Sequence, residues 1–229
     1  MNAAHEEPAV IEVTVSAPVD TVWQSLRDHD LIKLWMGWHY DQLDAEIDLI
    51  FYQHAKADPE SYTLELGDGD RFDLIKGEQG TVVRITRAPY DPDNEWSAYY
   101  HEVTEGWLSF LQQLRFMYQE HPGEVRRTLF LAGTGTGPMA ALEESIPTER
   151  GESWYSAELQ HGTVLPQLGP GLVITARKPP ATDDEGNVTV GVMAIVTTYG
   201  LDDEAFAAER SRWETWWRSG YPESDPAQV

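Results

Sequence analysis

Apolar and polar residues alternate over Val10–Val15, with Ile11, Val13 and Val15 on one side, and this period of two predicts a strand. Ser16-Ala17-Pro18 ends it, and Pro18 suits the opening of a helix, where its missing amide is not needed. Val19, Val22, Trp23 and Leu26 then recur at helical spacing, and a second short helix is expected to hold Leu31, Ile32, Leu34 and Trp35. Strand-like segments follow over 45–52, 62–66, 71–75 and 81–86, with turns at Gly67-Asp68-Gly69-Asp70 and at 77–80. In the first of them Asp44, Glu46 and Asp48 alternate, which reads as the wet side of a strand.

The strongest signal of the first half spans 94–118. Trp96, Tyr100, Val103, Trp107, Leu111 and Leu114 follow a three/four spacing, and His121-Pro122-Gly123 stops the run. A helix apolar along one face must bury it, and a curved antiparallel sheet is the available partner. Gly106 in its middle costs about 1 kcal/mol relative to Ala, for which close approach of the helix backbone to the sheet beside Trp107 is one return. Either a cavity lies between helix and sheet, or Trp107 fills that interior.

The second half repeats the order of elements. A strand over 127–131 leads to a glycine-rich turn and a short helix over 139–146. Strands over 153–160, 172–177 and 188–198 follow, with a solvated hairpin tip over 183–187 and connections through Gly162, 169–171 and 186–187. A closing helix from Asp202 to Arg218 begins with acidic residues and ends with a basic one, as its dipole prefers. Phe206, Trp213 and Trp217 are expected to face inward, and the crowding of Trp216 beside Trp217 leaves one of that pair at an edge or interface. A shift of 120 residues places Pro18 on Pro138, Val22 on Leu142, Ser25 on Ser145 and Leu26 on Ile146. The expectation is two units, 8–123 and a smaller antiparallel α+β unit at 125–222, a divergent repeat of the first.

Composition narrows the function. The 229 residues carry 39 Asp+Glu against 16 Lys+Arg, a formal charge of -23, which repels phosphate backbones and anionic headgroups. Nucleic acid and membrane insertion are therefore not expected as partners. No run of 18 apolar residues exists, and Glu6 and Glu7 stand where a signal peptide would be basic and then apolar. With no cysteine there is no disulfide, thiol nucleophile or thiolate metal site. The expectation is an acidic cytoplasmic protein.

Candidate chemistry is sparse. Gly133-Thr134-Gly135-Thr136-Gly137-Pro138 resembles the nucleotide loop of ferredoxin-NADP reductases, but strands and turns follow it where a doubly wound domain needs alternating helices. A tight strand-to-helix turn is the better reading, and no cofactor is expected. His101-Glu102-Val103-Thr104-Glu105 has Glu105 where a zinc protease helix needs its second histidine, so no metal site is expected. No Gly-x-Ser-x-Gly elbow occurs. The cluster Trp35, Met36, Gly37, Trp38, His39 and Tyr40 suits either core packing or a lid on a cavity mouth.

Residues 16–26, Ser-Ala-Pro-Val-Asp-Thr-Val-Trp-Gln-Ser-Leu, followed by Leu31 and Trp35, resemble the opening of SRPBCC (START-like) domains. With the hairpin Leu66-Gly67-Asp68-Gly69-Asp70-Arg71-Phe72 and the segment Glu105-Gly106-Trp107, the chain over about 8–123 is similar to the branch named for the activator of the heat-shock protein 90 ATPase. The resemblance implies a helix-grip fold, an antiparallel sheet wrapped on a long C-terminal helix, in the α+β class. It implies a binding module with an apolar cavity for a small hydrophobic or aromatic molecule, chaperone-associated and without catalysis of its own. Trp35, Phe72, Tyr100, Val103, Trp107 and Leu111 are the expected lining, with no catalytic residue. The alternative is a polyketide cyclase-like enzyme using polar groups in the same cavity.

Overall fold

A computed structural model describes residues 8–93, 97–135, 151–178, 181–182, 188–222, 224 and 226–229. The chain divides into two compact units, one of residues 1–37 and 41–123, the other of 38–40 and 124–229. Both are α+β, with an antiparallel sheet followed by a long helix.

In the first unit, β1 (Val10–Val15) buries Ile11, Val13 and Val15 in strict alternation. Pro18 precedes α1 (Val19–Arg27), which buries Val22, Trp23 and Leu26. The Asp28 side chain accepts from the amides of Asp30 and Leu31 and so starts α2 (His29–Lys33). Next come α3 (Leu43–Asp48) and a π turn, Leu49–Gln53. Four strands, β2 (Lys56–Asp58), β3 (Thr63–Glu65), β4 (Arg71–Gly77) and β5 (Gly80–Thr86), lead to α4 (Tyr100–Glu120). The sheet order is β1-β5-β4-β3-β2, antiparallel throughout, so the first strand pairs with the last. This is the helix-grip arrangement. Gly80 makes the β4–β5 turn at φ 129, where a Cβ would lie 2.1 Å from the Val15 carbonyl oxygen.

Three expectations for this unit are corrected. Residues 45–52 are helical, because Leu43, Ile47 and Phe51, four apart, form one buried face. Asp44 and Asp48 alternate only by coincidence, and they meet Lys33 at 2.6 Å and His29 at 3.8 Å. Gly106 makes no close approach to the sheet, since a Cβ there would meet only the Phe110 ring at 3.9 Å. The long helix also starts later than its apolar pattern, at Tyr100 after a 3-10 turn over Ser97–Tyr99, and residues 94–96 lie outside those described.

The second unit holds β6 (Arg126–Gly135), β7 (Glu152–Ser156), β8 (Gln160–Leu165), β9 (Gly171–Arg177), β10 (Ala181–Thr182), β11 (Val188–Tyr199) and α5 (Asp203–Gly220). All its pairings are antiparallel, in the order β6-β11-β9-β8-β7, with β10 extending the β9 edge of β11. The strand order therefore matches that of the first unit. Leu129, Leu131, Val173, Val192, Ala194 and Val196 pack with Phe206, Trp213 and Trp217 of α5, which face inward as expected, while Trp216 is only partly buried. Asp202 caps α5 by accepting from the Ala205 amide at 2.8 Å.

Here too the expectations need correction. Residues 153–160 are not one strand but parts of β7 and β8, with a turn closed by the Ala157 amide on the Gln160 carbonyl at 2.8 Å. Gly162 is no connection. It lies within β8 opposite Tyr155, whose ring lies over it. The expected helix over 139–146, the hairpin tip over 183–187 and the right-hand members of the 120-residue repeat lie outside the described residues.

Candidate binding site

Strand parity builds the site. Phe72 and Leu74 point inward from β4, and Asp70, two residues before Phe72, continues their phase. Thr81, Val83 and Ile85 point inward from β5, and Arg87 continues theirs. The β3–β4 hairpin, with Gly69 at φ 93 and the Leu66 amide on the Asp70 carbonyl at 2.8 Å, fixes the Asp70 backbone. Two charges of opposite sign are thus delivered to the edge of an apolar interior, Asp70 fully buried and Arg87 nearly so.

The pair is well satisfied. Asp70 Oδ1 accepts from Arg87 Nε at 2.9 Å and from the Ala88 amide at 2.8 Å, and its Oδ2 accepts from Trp107 Nε1 at 3.0 Å. Arg87 Nη1 donates to Thr104 Oγ1 at 2.8 Å and to the Tyr100 carbonyl at 3.2 Å. Its guanidinium also lies 4.7 Å over the Tyr100 ring. These bonds tie hairpin, strand end and first helical turn together.

Above the pair opens a pocket of about 470 Å³, lined by both charges and by Asp68, Tyr90, Asp91, Tyr99, Tyr100 and Val103, among others. Tyr90 meets Tyr100 edge-on at 5.5 Å, and the Tyr100 hydroxyl donates to the Ala88 carbonyl at 2.9 Å. Removal of water by the pocket wall pushes the Asp68 carboxyl above its ordinary value, although the residue stays accessible at the rim, and the Asp70 charge adds to the effect. Asp68 Oδ1 accepts from the Asp70 amide at 3.1 Å.

The six residues expected to line one cavity fall into two groups. Tyr100 and Val103 line the pocket, with Val103 41% exposed. Trp35, Phe72, Trp107 and Leu111 are buried in the core instead. There Phe72 and Trp107 pack edge to face at 5.3 Å, and Phe51 packs against Trp35 at 5.9 Å and Trp107 at 6.3 Å. Trp107 therefore occupies the interior between helix and sheet. His101 is exposed and stacks on Tyr90 at 6.3 Å, and neither it nor Glu105 lines the pocket. Sequence reasoning missed Asp68, Asp70, Arg87, Tyr90, Asp91 and Tyr99. An inward-phase charge at the end of each of two apolar strands was the available signal for Asp70 and Arg87.

The glycine-rich segment has a structural role. Gly133 and Thr134 are interior residues of β6, paired with Val192 and Gly191. A Cβ on Gly133 would stand 3.0 Å from Tyr221 Cβ and 3.3 Å from Trp217 Nε1, so the glycine lets α5 close on the sheet. Trp217 Nε1 donates to the neighbouring Ala132 carbonyl at 3.0 Å. Of the aromatic cluster at 35–40, Trp35 and Met36 are core residues of the first unit, while Trp38 belongs to the second and stacks on Phe130 at 3.7 Å. Among the described residues no helix is long and apolar enough to cross a membrane.

No family model matches the chain, and no curated protein matches it. Solved structures similar to it include DynU16, a protein of the dynemicin biosynthetic locus, at 16% identity and TM-score 0.34, covering 94% of this chain and 96% of that one. Two others are di-domain ARO/CYC proteins, each at 10% identity. BexL, of the BE-7585A pathway, has a TM-score of 0.38 and coverage of 96% and 100%. StfQ, of the steffimycin pathway, has a TM-score of 0.35 and coverage of 93% and 95%. At such values the likeness carries no functional weight. The chemistry of this chain has to be read from its own side chains.

Proposed function

We propose that the first unit is a binding module for a small aromatic molecule, received in the pocket at the start of α4. The observation that supports it is one concave site in which Tyr90, Tyr99 and Tyr100 stand over a buried, fully engaged ion pair. Its volume, about 470 Å³, lies within the range of small-molecule sites. Tyr100 and Val103 are the direct contacts among the residues expected from sequence. Trp107 reports occupancy through Asp70, and Trp35, Phe72 and Leu111 back it from the core. That the units expected at 8–123 and 125–222 are divergent repeats, with residues 38–40 going to the later one, is part of this proposal, supported by the shared strand order.

Native mass spectrometry and tryptophan fluorescence titration, with flat aromatics and with fatty acids, test the reading. The expected result is one aromatic molecule bound per chain, with quenching that Trp107→Phe removes. No bound species and no quenching by any compound would overturn it.

A polyketide cyclase-like activity is the second reading, and Asp68 favours it. A carboxyl that holds its proton more firmly than usual, beside tyrosines, suits proton exchange with a carbonyl or enol. Incubation with a poly-ketone thioester mimic, followed by product mass spectrometry, tests it. Cyclised product formed by the wild type and lost in Asp68→Asn is the expected result, and unchanged substrate would remove the reading. Chaperone association is a separate proposal resting on the sequence resemblance, tested by ATP turnover of a purified bacterial chaperone with the protein added.

A further inference from the structure

We propose that the pocket selects a cationic aromatic ligand, a flat ring system carrying an amine or quaternary nitrogen, which Asp68 and Asp91 recognise together with the tyrosine faces. This rests on the aromatic-binding reading and adds the charge of the ligand. Arg87 is the one basic side chain among the described residues that line the pocket. Its charge is spent on Asp70 at 2.8 Å, and further donors go to Thr104 and the Tyr100 carbonyl. An incoming anion would have to compete with a buried carboxylate for that guanidinium. Arg87 is therefore a structural cation, and the pocket is not an anion clamp.

With Asp70 and Arg87 cancelling, Asp68 and Asp91 remain, both exposed at the rim and both acidic. Asp91 accepts from the Asp93 amide at 3.0 Å, which holds its carboxylate in place without neutralising it. Tyr99, half exposed, and Tyr90 offer ring surface beside these carboxylates. Aromatic faces with adjacent carboxylates attract organic cations, because ring quadrupole and anion act with the same sign. The formal charge of -23 adds long-range attraction for a cation and repulsion for an anion.

Three probes of one shape separate the possibilities: 2-naphthylmethylamine, 2-naphthalenemethanol and 2-naphthoate, titrated calorimetrically into the full chain near pH 7. The amine is expected to bind about tenfold tighter than the alcohol, and the naphthoate weakest of the three. Asp68→Asn and Asp91→Asn should each reduce the amine's advantage, and the double variant should abolish it. Glu60→Gln, a charge-matched change outside the lining, should leave it intact. Because Asp68 and Asp91 are both exposed, failure of one variant to fold leaves the other to decide. Equal binding of amine and alcohol to the wild type would overturn the charge preference and leave the aromatic site standing. So would an advantage that survives in the double variant or falls equally with Glu60→Gln. Naphthoate binding tightest would overturn it as well. Absence of binding by all three would overturn both readings.

Discussion

Trp107 Nε1 donates to Asp70 Oδ2 at 3.0 Å, joining the one polar atom of a core indole to a carboxylate that also holds Arg87. The relationship has a mechanical meaning. The middle of α4 is pinned to the β3–β4 hairpin by a bond that passes beneath the pocket floor. Removing Asp70 leaves a nearly buried guanidinium without its counter-charge and an indole N–H without its acceptor. Asp70→Ala is expected to lower the unfolding free energy by about 3–5 kcal/mol, read from urea denaturation. The double change Asp70→Leu with Arg87→Met should recover only the part of the loss that comes from the stranded guanidinium, because the Trp107 indole and the Ala88 amide still lack their acceptor.

Gly106 is a helix-interior glycine with room for a methyl group. Gly106→Ala should stabilise the protein by about 1 kcal/mol, seen as a higher urea midpoint with an unchanged slope. A loss of stability would show that the backbone at this position needs glycine after all.

Gly133 behaves oppositely. Added carbon there meets Tyr221 and Trp217, so Gly133→Val should cost about 1–3 kcal/mol through overpacking. Calorimetry with NADPH should give a flat trace for the wild type. Micromolar binding, lost on replacing Gly135 by a bulky residue, would overturn this reading of the segment.

Asp68 gives a pH dependence whose sign follows from the direction of its shift. The folded protein holds the Asp68 proton more firmly than the unfolded chain, through loss of water and the nearby Asp70 charge. Ionising it therefore costs stability as pH rises through the raised value, and the penalty is absent below the ordinary value of 3.8. Asp68→Asn should raise the melting temperature near neutral pH, with the difference closing as the solution is acidified. A difference that grows in acid would contradict the assignment.

The parts of the fold that were legible in the sequence are those where one face alone is buried. Val10–Val15 alternates because its other side is wet, and Trp107, Leu111 and Leu114 mark a helix by the same logic. The segment around Ile47 was misread because acidic residues on a helix happened to alternate, while Leu43, Ile47 and Phe51 kept a period of four. The buried pair was legible in principle. Asp70 and Arg87 sit in phase with Phe72, Leu74, Val83 and Ile85, and a charge in an inward phase must find a partner. Tyr90, Asp91 and Tyr99 were not legible, because turns with no periodicity bring them together.

Trp38, His39 and Tyr40 lie early in the sequence yet belong to the later unit, where the Trp38 ring covers Phe130 and the His39 amide donates to Thr128 Oγ1 at 2.6 Å. The two units are thus interleaved along the polypeptide. No single cut yields both, because a fragment beginning near residue 124 would lack three of its own residues, one of them a stacked indole. Recombination could not exchange the later unit as a contiguous cassette. A ribosome also emits part of it before the first sheet is finished, so Trp38 and His39 are made well before strand β6, which carries Phe130 and Thr128.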